Sequence, residues 1–116
     1  MRVLSARRVL APRSEGASEV VGRFLSDLAL ELADRGCTMV GHIKGMAAEG
    51  GKPALFFSLT SLGAEPHLRG GPLQDGQALA LSITLIVAGL AEREMGQALN
   101  AALAKHFDTG VMGVAD

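Results

Sequence analysis

The segment Gly41-His42-Ile43-Lys44-Gly45 is where reactive side chains first fall at a useful spacing. In an extended chain, residues two apart point to the same side, so His42 and Lys44 share a face, and the flanking glycines permit close backbone approach. An imidazole can act as a general base and an ammonium can hold a carboxylate or phosphate. No Ser, Cys or carboxylate lies at a diagnostic spacing to complete a relay, so the pattern favours a hydrogen-bonding or interface histidine, and no catalytic residue is assigned. His67, Arg69, Gly70 and Gly71 form a second group, whose amides could cup an anion while Arg69 neutralises it. The chain has no GxxxxGK[ST] and no GxGxxG after a strand, so these glycines read more simply as loop punctuation.

His42, His67 and His106 fall on three different elements without a short ligand spacing, and no metal site or cofactor is expected. Cys37 is the single cysteine, which excludes an internal disulfide and suits a reducing, cytoplasmic setting. It follows a helix end, where the dipole disfavours a thiolate nucleophile.

Bulk properties narrow the function classes further. The 116 residues suit one domain, and 48% apolar with 20% charged residues is an ordinary globular composition. A net charge of −1 lacks the basic excess of a duplex nucleic-acid binder. With no Trp or Tyr and only four Phe, a stacking platform for single strands is also poorly supplied. The longest apolar run, 78–91, is interrupted by Ser82, Thr84 and Gly89 and falls short of the roughly 20 residues a membrane helix needs, so core rather than membrane is expected. Residues 1–13 are rich in arginine and overlap in composition with transit peptides and basic arms. A strand or extended arm carrying Val3, Leu4, Val9 and Leu10, and ended by Pro12, is the favoured reading.

The elements that must position these side chains follow from hydrophobic period. Val21, Phe24, Leu25, Leu28 and Leu32 recur at three- and four-residue steps and predict an amphipathic helix over 14–35, with Arg23, Asp27 and Glu31 as a charged stripe and Gly36 as its stop. The period then changes to two, predicting strands over 37–46 and 54–62 joined at the turn cluster 49–53, an antiparallel hairpin. Residues 63–76, with four glycines and two prolines, read as a long loop. In 77–88, Leu79, Leu81, Ile83, Leu85 and Val87 occupy one side of a deeply buried strand. Residues 90–107 predict a second helix with Met95, Leu99 and Leu103 four apart, and 108–116 is left as a C-terminal tail.

Two amphipathic helices need one apolar sheet face to cover them, which implies an α+β two-layer sandwich with a mainly antiparallel sheet of three or four strands. Burying the odd residues of 77–88 turns Ser82 and Thr84 outward. Burying Met39 and Ile43 turns His42 and Lys44 outward with Val40, and burying Leu55, Phe57 and Leu59 turns Ser58 and Thr60 outward with Phe56. With His67 and Arg69, these are the candidate ligand-binding residues.

The apolar members of that face suggest partial burial against another subunit. The leading expectation is a non-enzymatic module that forms a homo-oligomer and meets an anionic small molecule or an acidic protein partner, with nucleic acid disfavoured and no membrane. The alternative is a small enzyme or small-molecule binder whose site lies between subunits and uses His42, Lys44 or His67.

Overall fold

A computed structural model describes residues 1–11, 16–74 and 78–107, together with the backbone of 114–115. Chain order is β1 (Arg2–Leu10), α1 (Ala17–Asp34), β2 (Met39–Glu49), β3 (Lys52–Leu59), β4 (His67–Gly70), β5 (Leu79–Ala88), α2 (Glu92–His106) and β6 (Val114–Ala115). The strands form one sheet in the order β4-β3-β2-β5-β1-β6, with every neighbouring pair antiparallel. β1 and β2 therefore run parallel to each other, joined through α1, with β5 inserted between them. The fold is α+β with a mainly antiparallel sheet and two helices. The strand number is a correction to the sequence expectation: five strands and the two-residue β6 replace three or four.

Helix α1 buries Ala17, Val20, Val21, Phe24, Leu25, Leu28, Ala29 and Leu32, the one-sided stripe its spacing requires. It ends in a Schellman arrangement: Cys37 N–H donates to the Leu32 carbonyl and Gly36 N–H to that of Ala33, each at 3.0 Å, with Gly36 at φ 108°. Helix α2 opens with Glu94 accepting the Ala91 N–H at 3.3 Å and buries Met95, Ala98, Leu99, Ala102 and Leu103. The helices meet through the edge-to-face rings of Phe24 and Phe107, 6.1 Å apart.

The charged stripe on α1 ties the helices together. Asp27 pairs with His106, and Glu31 pairs with both Arg35 and Lys105. The Lys105 ammonium, 2.9 Å from Glu31, and the Arg35 guanidinium hold the Glu31 carboxyl below its ordinary range, and Glu31 in turn raises Lys105.

All five odd-numbered side chains of β5 are buried, while its even ones are half-buried. The buried residues of the sheet and both helices make one continuous core. β2 departs from strict alternation. Its pairing with β5 runs Val40 to Val87 and then His42 to Ile86, leaving Gly41 as an extra residue in a bulge. A bulge reverses side-chain parity, so Val40 is buried at 5% exposure and Met39 lies out at 52%, the opposite of the expected assignment. Beyond the bulge, Ile43 is buried and His42 and Lys44 face outward.

The expected long loop over 63–76 is also corrected, because 67–70 pairs with β3 as the edge strand β4. A second bulge lies at Ala54, between the pairs Ala47 to Leu55 and Ala48 to Pro53, and its carbonyl accepts the Gly71 N–H at 2.6 Å. An edge strand needs partners on one side only, which is why a glycine-rich segment can form one. The basic N-terminal segment folds as β1 over Arg2–Leu10; Pro12 and Arg13 lie outside the described residues. The same is true of residues 75–77 and of all but the backbone of 114–115 in the tail, where β6 pairs with Arg7 and Arg8. Among the described residues, no helix is long and apolar enough to cross a membrane.

Candidate functional site

Antiparallel partners project to the same side of a sheet, so the register fixes which residues share its open face. His67 pairs with Ser58, Ser58 with Lys44, Lys44 with Thr84, and Thr84 with Ser5. One row of polar side chains thus crosses all five strands from β4 to β1, a span of about 19 Å at about 4.8 Å per strand. The adjacent row is Arg69, Phe56, Met46, Ser82 and Arg7. His42 lies in the row on the opposite flank, beside Ile86 and Val3.

Residues from each of these rows line a concavity of about 500 Å³. Seven of the eight sequence-predicted residues line it: His42, Lys44, Ser58, His67, Arg69, Ser82 and Thr84. Thr60 does not, because β3 ends at Leu59 and Thr60 lies exposed beyond the paired strand. His67 and Arg69 arrive on a strand rather than on the expected loop. His106 is remote from the concavity, engaged with Asp27 between the helices. Among the described residues, no three His, Cys, Asp or Glu side chains cluster as metal ligands would.

The sequence reading missed Ser5 and Met46, which line the concavity, and Arg7, which lies in the adjacent open-face row. Met46 follows His42 and Lys44 at the same two-residue step, so continuing that alternation would have found it. β1 gives no such lead, since Val3 and Val9 oppose Leu4 and Leu10 in parity and arginine occurs in both phases.

The open face carries Lys44, Arg69 and Arg7 together with two imidazoles, and its described residues include no carboxylate. Acids concentrate instead on the helices, at Glu19, Asp27, Glu31, Asp34, Glu92 and Glu94. Among the described residues, none of the three face cations forms an ion pair. The Arg69 guanidinium lies over the Phe56 ring, 5.4 Å from its centroid, and Ser5 and Thr84 join their hydroxyls at 3.0 Å. Such a surface supplies N–H and O–H donors and positive potential to one small volume, the chemistry that receives an oxyanion.

Gly45 sets how closely the central strands approach. A Cβ there would lie 2.1 Å from the Ser82 carbonyl oxygen and 2.6 Å from Phe57 Cζ, so the Phe57 ring occupies the space a side chain would need. This is the close approach that the paired glycines of the His42 segment suggested. A second concavity, of about 550 Å³, lies between α1 and residues 65–68, where the lining Asp27 and His106 are already engaged with each other.

Comparisons of the chain with protein-family models, with curated proteins and with solved structures gave no match.

Proposed function

We propose that the chain is a binding module, built as a two-layer sandwich whose open sheet face receives a small anionic molecule. The observation that carries this reading is the row His67, Ser58, Lys44, Thr84, Ser5, flanked by Arg69 and Arg7 on a face with no described acid. Like charges gathered without counter-charge cost free energy that a bound anion recovers. The concavity forms within one chain, so the small-molecule reading does not require a junction between subunits. Apposing this face on a second copy would bring two sets of cations together with no described acid to face them, which weighs against self-association through it. The side chains bind and orient, and no role in bond cleavage is assigned to them.

The test is a titration with inorganic phosphate and with sulfate, followed by amide chemical shifts at low ionic strength. Shifts are expected at Lys44, Ser58 and Thr84, weakening as salt rises from about 50 mM to about 300 mM. Lys44→Gln should weaken binding, and His106→Gln should not change it. Shifts spread evenly over the surface, or unaffected by Lys44→Gln, would refute the proposal.

A further inference from the structure

We infer that the ligand of the open face is an aromatic anion, a small molecule with one carboxylate or phosphate group and one flat ring beside it. This rests on the anion-binding reading above and specifies the ligand class. The polar row and the Phe56–Met46 row are successive same-face rows, two residues apart along each strand, which sets them about 7 Å apart. Phe56 and Met46 therefore lie within one small ligand's reach of Lys44 in the neighbouring row and of Arg69 in their own. Phe56 is 41% exposed on a face that solvent would otherwise favour as polar, and Met46 stands directly opposite it across the ladder.

Arg69 strengthens the assignment. Its guanidinium is held over the Phe56 ring, so a planar cation and an aromatic surface are presented together. A guanidinium stacks on rings and also binds oxyanions, and it can therefore contact both halves of such a ligand. Met46 adds a polarizable sulfur that adapts to ring edges. On the other side, Lys44, Ser58 and His67 supply donors to the anionic group, while Thr84 shares its hydroxyl with Ser5.

The ring count decides between a small molecule and a strand of nucleic acid. Binding platforms for single strands stack successive bases on several aromatic side chains. Among the described residues of this face, Phe56 is the one aromatic residue other than the histidines, which suits a single ring.

The experiment compares probes on the full chain by calorimetry and amide shifts: inorganic phosphate, phenyl phosphate, adenosine monophosphate, acetate, phenylacetate, benzyl alcohol and a uridine oligonucleotide. Phenyl phosphate is expected to bind about tenfold more tightly than inorganic phosphate, a ring contribution of ordinary aromatic size. Phenylacetate should exceed acetate similarly, and benzyl alcohol should not bind measurably. Phe56→Leu should bring the ratio of phenyl phosphate to inorganic phosphate affinity close to one, and its 41% exposed position leaves the core intact. The nucleotide and phenylacetate arms tell which anionic group and ring the face prefers, and either preference supports the inference.

Equal affinity for inorganic and phenyl phosphate would overturn the aromatic assignment while leaving anion binding in place. Absence of binding by every anion would overturn both. An oligonucleotide binding far more tightly than adenosine monophosphate would overturn the inference in favour of a strand.

Discussion

Replacing Gly45 by alanine tests the packing that holds the candidate site in shape. The added Cβ would lie 2.1 Å from the Ser82 carbonyl oxygen and 2.6 Å from Phe57 Cζ. Ordinary contacts are longer by about 1 Å, so β2 and β5 must separate and the Phe57 ring must also move. Phe57 is 3% exposed and belongs to the buried core. Overpacking of this kind costs about 1–3 kcal/mol, and a clash with backbone places it at the upper end. Alanine recovers about 0.5–1 kcal/mol over glycine through lower chain entropy, leaving a net loss of about 2 kcal/mol. For a domain of this size that loss lowers the melting temperature by about 8 °C. Urea unfolding followed by circular dichroism measures it, with Gly63→Ala as control, since a Cβ at Gly63 meets nothing within 4 Å. A Gly45→Ala midpoint equal to that of the parent would refute the close-packing argument.

The bulge at Gly41 makes a paired prediction. Val40→Asp should prevent folding or cost more than about 3 kcal/mol by burying a carboxylate, whereas Met39→Asp should change stability by no more than about 0.5 kcal/mol. Equal tolerance of the two in a denaturation assay would place the parity reversal elsewhere. Glu31→Gln should lower the urea midpoint at neutral pH, by an amount that salt reduces. Because the folded carboxyl is held below its ordinary value near 4.5, its contribution is complete above that pH and is lost as pH falls through the depressed value. The parent and variant should therefore converge in acid, and a constant gap across that range would count against the ion-pair assignment. At the alkaline end Lys105, raised above 10.5, keeps the pair intact until pH passes its folded value.

Much of the fold was legible because hydrophobic period is a local property. The steps Val21, Phe24, Leu25, Leu28, Leu32 and Met95, Leu99, Leu103 needed no partner to be read as helical stripes. Likewise, β5 could be phased from its own alternation, since every odd residue is Leu, Ile or Val while the even ones include Ser82 and Thr84. Once β5 was phased, the outward direction of His42, Lys44 and Ser58 followed from similar alternation in β2 and β3. Gly36 also announced its role, because a left-handed stop after a helix is a backbone demand that glycine meets cheaply.

What the chain could not reveal alone depended on pairing between distant segments. The sequence contained a strand in β4, but only the edge of β3 and the bulged Ala54 carbonyl give residues 67–70 a reason to extend. Gly41 was visible as a glycine, yet its identity as an extra residue depends on how β2 registers against β5, and that register decides whether Met39 or Val40 is buried. Above all, residue types named one by one became a site only when five strands aligned His67, Ser58, Lys44, Thr84 and Ser5 in a single row. Side-chain direction is encoded within a strand, whereas adjacency across a sheet is set by hydrogen-bond register between strands, and that is a property of the folded chain.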